Sequence, residues 1–396
     1  MLDLSNCYGD ELHDALRVAA QAGPVAVDGL TGALVALRHA DVDALGRDDR
    51  LVGVGLTTFD LMGITSGPLR DWYGSLMFTN EGAAHRRLRM IVQKAFTPRS
   101  VEMIRADAGT IASTCAATVT ADGGGDLFAA FSLLPIRVIC RLIGVPDNDV
   151  RDLVEWADAL SPVFGFMTPE QVAAATAALG PFEAYVDQLL VERQSAPTED
   201  LVTRLLVAEA EGQKLTHGEV RTMVANLIVG GHDTTGSQLG CSFLTLLRHA
   251  EQTEVLPKEP ALVRAAIEET MRFEPSIPGI PRTVVTPVEV GGQELPAGAL
   301  VILSTAAANR EPGVWAAPDR FELTRFTEAS TPRLMSFGIG VHYCLGAAVA
   351  RMTLEEAVRV VFAEGPALRF VGDPWVVPWR QVLGRSPAEL PVEVAA

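Results

Sequence analysis

Residues 337–346 read FGIGVHYCLG and hold one cysteine in a turn with three glycines. Gly338 and Gly340 precede Cys344, and Gly346 follows it. Glycine adopts backbone conformations with positive φ and lets another group approach the main chain closely. The next residues, LGAAVARMTLEEAVRVVF, have the spacing of an amphipathic helix, so the cysteine is predicted at or just before a helix N-terminus.

This position suits a thiolate, because a helix N-terminus offers free N–H groups and the positive end of a dipole. A lone thiolate with donors around its sulfur could ligate a haem iron at one point. The glycine-rich turn alone favours the simpler interpretation, a buried and inert cysteine. The other cysteines are scattered and form no C-x-x-C pair, so we expect neither a disulfide scaffold nor a structural zinc site. They are Cys7, Cys115, Cys140 and Cys241.

The composition predicts a cytoplasmic protein without a membrane span. Of the 396 residues, 48% are apolar, which is enough for a sizeable core. No apolar run reaches the length of a membrane helix, and the N-terminus lacks the apolar region of a signal peptide. The net charge of −17 disfavours nucleic acid as a partner.

Helical periodicity dominates the chain, which is predicted to form one domain over residues 1–396. We expect a mainly α fold with a small β part, because two strand-rich regions, 24–37 and 282–305, interrupt the helices. Gly291 and Gly292 are predicted to turn a hairpin in the second region. The predicted helices are 85–96, 101–120, 128–143, 147–160, 169–194, 199–210, 217–249, 259–273 and 345–363.

The longest predicted helix begins with a capping box, formed by Thr216 and Glu219, and runs to about His249. At 1.5 Å per residue it would span about 50 Å and cross the body of the domain. Its middle reads GGHDTTGS, a poor helix sequence in which each glycine costs about 1 kcal/mol relative to alanine. The segment is therefore retained for another reason.

The stretch FGIGVHYCLG resembles the haem-binding signature of the cytochrome P450 superfamily at its Phe, both upstream Gly, the His, the Cys and the final Gly. The resemblance extends from the helix at 85 to the C-terminus. It implies a single-domain cytochrome P450 fold with the long central helix over the haem. It also implies that Cys344 is the proximal thiolate ligand of haem b, with Phe337 on the sulfur side and His342 near a propionate. Gly338 and Gly340 would make room for the porphyrin.

Two further motifs acquire roles through this resemblance. Glu269 and Arg272 form an E-x-x-R pair that, with Arg325, would be a structural buttress for the haem-binding loop. The spacing alone is weak, since Glu102 and Arg105 share it. His85, Arg89 and Arg282 would bind the propionates, as charge-assisted hydrogen bonds are strong.

Asp233 and Thr234 lie in the middle of the long helix, and the resemblance places such a pair on the oxygen side of the haem. A distorted helix there would free a carbonyl and make a groove for O₂. Thr234 is then the predicted oxygen-binding hydroxyl and Asp233 the proton relay. Without the cysteine motif, both would be ordinary polar residues on a helix face.

The resemblance therefore implies a haem-thiolate monooxygenase that hydroxylates or epoxidises a hydrophobic small molecule in bacterial secondary metabolism. Electrons would come from a ferredoxin and its NAD(P)H-dependent reductase. The expected ferredoxin-docking residues are Arg86, Arg87, Lys94, Arg99 and Arg333.

Residues 51–80 and the stretch ALSPVFGFMTPEQ are expected to cap the substrate pocket. The second stretch supplies Phe164, Phe166 and Met167, an apolar lining typical of sites for hydrophobic ligands. Asn226 and Arg380 are candidate polar anchors for the substrate.

Two alternative functions remain open from the sequence. One is the same haem-thiolate site with a different oxidation, such as coupling, desaturation or C–C cleavage. The other is a non-catalytic haem-binding protein, which the Asp233–Thr234 pair disfavours because a sensor needs no proton relay.

Overall fold

The computed structural model of the protein describes residues 2–4, 6–210, 212–381 and 383–395. The α-helices are α1 (Gly9–Ala22), α2 (His39–Leu45), α3 (Thr57–Leu61), α4 (Pro68–Ser75), α5 (Gly82–Ala95), α6 (Pro98–Glu102), α7 (Arg105–Thr120), α8 (Leu127–Phe131), α9 (Leu134–Ile143), α10 (Val150–Leu160), α11 (Pro169–Ser195), α12 (Leu201–Val207), α13 (His217–Arg248), α14 (Ala250–Thr253), α15 (Val263–Phe273), α16 (Thr305–Ala308) and α17 (Ala347–Val358). A π-helical turn, Arg359–Glu364, continues α17.

The strands are short. They are β1 (Val25–Val27), β2 (Leu34–Ala36), β3 (Leu51–Val52), β4 (Gly124–Asp126), β5 (Glu209–Ala210), β6 (Gln213–Lys214), β7 (Ile280–Val284), β8 (Val288–Val290), β9 (Gln293–Leu295), β10 (Leu300–Leu303), β11 (Leu368–Phe370), β12 (Trp379–Gln381), β13 (Arg385–Pro387) and β14 (Pro391–Val394). The predicted mainly α class with a small β part is confirmed.

Helix α13 is the central element, and it begins with the predicted capping box. The Thr216 hydroxyl accepts from the Glu219 N–H (3.2 Å), and the Glu219 carboxylate accepts from the Thr216 N–H (2.8 Å). The helix has 32 residues, which corresponds to about 48 Å. It runs unbroken through GGHDTTGS, so the distortion expected there is not seen.

The glycines of α13 instead allow close packing. A Cβ at Gly231 would lie 2.5 Å from Cδ1 of Ile139 on α9, and one at Gly240 would lie 2.8 Å from the ring of Phe128 on α8. A Cβ at Gly230 would meet no atom within 4 Å. Gly231 and Gly240 thus admit neighbouring helices, whereas Gly230 faces open space.

The two predicted strand regions join in one five-stranded sheet of order β1-β2-β10-β7-β3. Strands β2 and β10 are parallel, and the other pairs are antiparallel. The predicted hairpin joins β8 to β9. Gly291 and Gly292 have φ of +57° and +82°, as expected for a turn whose two central residues are left-handed.

Several sequence boundaries were wrong. The helix predicted over 128–143 is two helices, because Pro135 lies in the first turn of α9 and cannot donate to a preceding turn. The helix predicted over 199–210 ends at Val207 and is followed by the β5–β6 hairpin. Helix α1 was not predicted; it buries only a narrow stripe that includes Leu12 and Leu16. No helix in the described part of the chain has the length and apolarity to cross a membrane.

Candidate active site

Cys344 lies between a glycine turn and the start of α17, as the sequence predicted. Its N–H donates to the carbonyl of Phe337 (2.9 Å), and the Gly338 N–H donates to the carbonyl of Met335 (2.9 Å). These two bonds fix the loop, and α17 begins three residues later at Ala347. The side chain of Cys344 is accessible.

Two opposing effects act on the pKa of the Cys344 thiol. Although the Cys344 side chain is accessible, desolvation by the surrounding protein raises its pKa, whereas the N–H groups of Gly346 and Ala347 and the positive charges of Arg89 and Arg351 act to lower it. The sequence anticipated such donors around the sulfur. A coordinated metal deprotonates a thiol outright.

The turn glycines are required by chain packing. Gly338 and Gly340 have φ of +79° and +69°, where side chains are strained. A Cβ at Gly340 would lie 2.1 Å from the carbonyl oxygen of Gly46, and one at Gly338 would lie 3.2 Å from Cδ1 of Ile280. The expected reason, room for a flat ligand, is therefore not the contact that the structure shows at Gly340.

Three basic side chains near the thiol have no acidic partner within the described residues. Arg282 is buried and donates only to the carbonyl of Pro281 (2.9 Å). Arg89 is half-buried, and its guanidinium makes no hydrogen bond or ion pair with a described residue. His85 is buried, and its Nε2 has no partner among the described atoms.

Burial shifts each of these groups toward its neutral form. It lowers the pKa of Arg89 and of Arg282, and it lowers the pKa of His85 to about 4, with the charges of His342 and Arg89 adding to the effect on His85. Buried cations without partners are costly. An anionic ligand would provide the partner that these groups lack.

His342 is the exception, because Glu81 already engages it. Its Nε2 lies 3.0 and 3.1 Å from the two oxygens of the Glu81 carboxylate, which also accepts from the Gly53 N–H. The His342 ring packs 4.3 Å from that of His85. Sequence reasoning missed Glu81, although its i, i+4 spacing to His85 at a helix start was visible.

These residues fit a haem. The family's haem b carries carboxylate side chains, which suit the unpaired donors of His85, Arg89 and Arg282. The accessible sulfur of Cys344 supplies the single soft ligand that haem iron accepts. The described residues contain no cluster of three or more potential metal ligands.

Asp233 and Thr234 point in different directions from α13. The Oδ2 of Asp233 accepts from the N–H groups of Leu383 (3.1 Å) and Gly384 (2.9 Å) in the turn between β12 and β13. The hydroxyl of Thr234 donates to the carbonyl of Gly230 (2.7 Å), and Gly230 borders open space. The Asp233 carboxylate thus lies against the β12–β13 hairpin, while the Thr234 hydroxyl lies beside the open space at Gly230.

The three residues of the expected buttress are in contact. Arg272 and Glu269 are fully buried and joined by two hydrogen bonds (2.7 and 2.9 Å). Arg325 adds two bonds from its Nε to the same carboxylate (both 3.1 Å). The cluster also binds the segment before the cysteine loop, since Arg272 donates to the carbonyls of Pro318 and Arg320.

Asn309 connects this cluster to the cysteine loop, and sequence reasoning missed it. Its carbonyl accepts from Arg272 (3.0 Å), its Oδ1 accepts from the Met335 N–H (2.9 Å), and its amide donates to Ser336 (2.8 Å). Ser336 in turn donates to the carbonyl of Met271 (2.7 Å). No motif spacing marks a single buried asparagine, so only the fold reveals it.

An aromatic cluster joins the two predicted capping segments. Tyr73 packs against Phe59, Phe78 and Phe164 with ring centroids 4.8, 5.6 and 6.2 Å away. Phe166 is 64% exposed and joins none of these ring contacts, so its expected place in the pocket lining stays a prediction. The Met167 N–H also lies 3.1 Å from the sulfur of Met62.

The two candidate anchors differ. The Oδ1 of Asn226 is buried without a partner among the described atoms. Arg380 lies 3.6 Å from Asp233 and donates to Ser386 (3.1 Å), so its guanidinium is already engaged within the protein.

Of the five residues expected to dock the ferredoxin, Arg87 is held by Glu219 through two 3.0 Å bonds.

Comparisons with known proteins identify the family of the chain. A family model described as cytochrome P450 matches residues 64–362. Nocardicin C N-oxygenase of Nocardia uniformis is 38% identical over 321 residues, with 80% of this chain and 78% of that protein covered. Cytochrome P450 107B1 of Saccharopolyspora erythraea is 36% identical, covering 82% and 78%. The crystal structure of CalO2 superposes with a TM-score of 0.89 at 27% identity, covering 97% and 96%.

Proposed function

The chain belongs to the cytochrome P450 family, and on that premise we propose that Cys344 is the thiolate ligand of its haem and that the enzyme hydroxylates or epoxidises a hydrophobic small molecule. Haem dependence and monooxygenase activity follow from the family. The bound haem supplies activation of O₂ with thiolate donation that favours O–O cleavage. The observation that carries the assignment is the accessible Cys344 thiol together with His85, Arg89 and Arg282, none of which has an acidic partner among the described residues.

The buried donors around the cysteine loop hold the cofactor in this proposal. His85, Arg89 and Arg282 bind its carboxylates, since burial strengthens a charge-assisted bond and leaves an unpaired cation costly. Glu81 orients His342 through the two contacts at 3.0 and 3.1 Å. Glu269, Arg272 and Arg325 act at a distance, by fixing the segment that Asn309 ties to the loop.

In this proposal, Asp233 and Thr234 of α13 transfer protons. Thr234 presents a hydroxyl beside the opening at Gly230 and can exchange its helix bond for one to a ligand there. Asp233 holds its carboxylate against two backbone N–H groups and lies 3.6 Å from Arg380. A carboxylate there can accept a proton from outside and pass it on to a neighbouring hydroxyl or water.

The proposed substrate is apolar or aromatic, with at least one polar group. Aromatic rings from the 51–80 segment pack against Phe164, so apolar side chains join the two segments expected to cap the pocket. The unpartnered amide oxygen of Asn226, one turn before Gly230, offers an acceptor for a substrate donor. The name of the nocardicin C N-oxygenase indicates oxygen transfer to nitrogen in that relative, so nitrogen oxidation belongs among the products to be assayed.

We also propose a ferredoxin with its NAD(P)H-dependent reductase as the electron source. Arg86, Lys94 and Arg99 are exposed, and Arg333 is 41% exposed beside Asp43. An acidic electron carrier would be attracted to such a basic surface. Arg87 is excluded from this set by its bidentate bond to Glu219.

The first test is the absorption spectrum of the reduced protein under carbon monoxide. The wild type is expected to show the strongly red-shifted Soret band of a thiolate-ligated haem, and Cys344→Ser is expected to lose it. Cys7→Ser is the matched control, since Cys7 is also partly accessible but remote in sequence from the loop. A red-shifted band that persists in Cys344→Ser would overturn the assignment.

A further inference from the structure

The ion pair between Glu268 and Arg351 lies beside the cysteine loop. Glu268 on α15 accepts two hydrogen bonds from Arg351 on α17, one of them from Nη2 at 3.1 Å. The side chains are 26% and 15% exposed for Arg351 and Glu268, respectively. Neither residue is used by the motifs described above, although Glu268 directly precedes Glu269 of the buttress.

Arg351 contacts both residues that frame the cysteine. Its Cζ lies 4.3 Å from the centroid of the Phe337 ring, and its Nη1 donates to the hydroxyl of Tyr343 (3.2 Å). The carbonyl of Phe337 accepts the Cys344 N–H, and Tyr343 is the residue before the cysteine. A guanidinium over a ring face is attracted by the ring quadrupole. One cation thus fixes both flanks of the thiol.

We propose that Arg351 is a positioning residue that sets the electrostatic environment of the Cys344 sulfur, and that Glu268 partly neutralises its charge. The inference rests on the proposed function, in which Cys344 ligates the iron. A positive charge near the iron–thiolate unit favours the reduced state, which carries one positive charge fewer. Arg351 therefore raises the one-electron midpoint potential of the haem, and Glu268 limits that rise.

The experiment measures this potential by spectroelectrochemical titration of the haem-loaded protein. Arg351→Leu is expected to lower the potential and Glu268→Gln to raise it, each by about 59 mV, which is tenfold in a one-electron equilibrium. Arg359→Leu is the control. Arg359 follows α17, pairs with Glu356 (2.6 Å) and contacts no aromatic ring in the described structure, so its loss should leave the potential unchanged.

Opposite shifts separate an electrostatic role from a structural one. Loosening the loop would move both variants in the same direction and reduce the red-shifted carbon monoxide band. A common direction, or no shift in either variant, overturns the inference. If Arg351→Leu fails to load haem, Glu268→Gln still tests the sign. Absence of the red-shifted band in the wild type would instead refute the proposed ligand itself.

Discussion

At the scale of single residues, the local chemistry around Thr234 differs from that around its neighbour. The hydroxyl of Thr234 turns back to the Gly230 carbonyl and lies beside open space, whereas Thr235 is buried. Threonine hydroxyls form such i−4 bonds in helices at little energetic gain. The bond is therefore easily exchanged for one to a ligand.

We predict that Thr234→Ala lowers product formed per NAD(P)H consumed by about tenfold, a modest share of what a positioned proton donor contributes. Thr234→Ser, which keeps a hydroxyl, should retain most of the coupling. The measurement is product yield against NAD(P)H oxidation with a saturating substrate. Thr235→Ala is the control, and equal losses in the two alanine variants would contradict the assignment of Thr234.

The sequence suggested Cys344 and the Asp233–Thr234 pair as site residues because each motif lies within a few neighbouring positions and resembles that of a known family. It could not predict that Gly340 interlocks with Gly46, since the two are almost three hundred positions apart in the sequence. It could not place Arg380 against Asp233 either, because the β12–β13 hairpin that brings them together was not predicted. Both contacts form only when the chain is folded.

At the scale of elements, α13 carries two adjacent glycines with opposite surroundings. Gly231 leaves room for Cδ1 of Ile139, and Gly230 meets nothing within 4 Å. Glycine lowers helix stability equally at both positions, so the surroundings alone distinguish them. Packing against α9 thus explains the glycine at position 231, whereas no described contact requires one at position 230.

We predict that Gly230→Ala stabilises the protein by up to about 1 kcal/mol through helix propensity. Gly231→Ala should instead destabilise it by about 1–2 kcal/mol, because the new methyl group overpacks α9. The free energy of unfolding in urea measures both effects.

Ile139→Val provides the control for the Gly231 contact, because valine lacks the Cδ1 atom. Combined with Gly231→Ala, it should recover part of the loss, although Ile→Val alone normally costs about 0.5–1.5 kcal/mol. Strictly additive losses in the double variant would show that the Ile139 contact is not the cause.

At the scale of the whole molecule, a buried charge cluster joins three distant parts of the chain. His13 of α1 lies 3.3 Å from Glu274, which also pairs with Arg385 of β13. Burial lowers the pKa of His13 to about 4, with the charge of Arg310 adding to the effect and that of Glu274 opposing it. The pKa of Glu274 is also held low; burial opposes this, but the charges of Arg385 and His13 outweigh it.

The sign of the His13 effect follows from proton uptake. Below its ordinary pKa of 6.5 the unfolded chain binds a proton that the folded protein rejects until about pH 4. Stability should therefore fall by about 3 kcal/mol as the pH drops from 6.5 to 4. Glu274 adds a loss in the same direction below its own unfolded pKa.

We predict that His13→Gln flattens this part of the pH profile, because glutamine does not titrate but can still donate to Glu274. The free energy of unfolding would be measured in urea between pH 4 and 7. His217→Gln serves as the control, since His217 is 43% exposed. A profile as steep as that of the wild type would exclude His13 as its source, leaving His85, whose pKa is also lowered to about 4.

The sequence by itself determined the helix-rich class, the central capped helix, the thiol at a helix start and the E-x-x-R pair, because each depends on periodicity or on residues within one turn. The family's motifs then located its expected cofactor residues. Tertiary structure alone decided the five-stranded sheet and the contacts of Glu81, Asn309 and Arg351. These depend on residues far apart in sequence, whose meeting is set by how the helices and strands pack and by the need to pair each buried polar group.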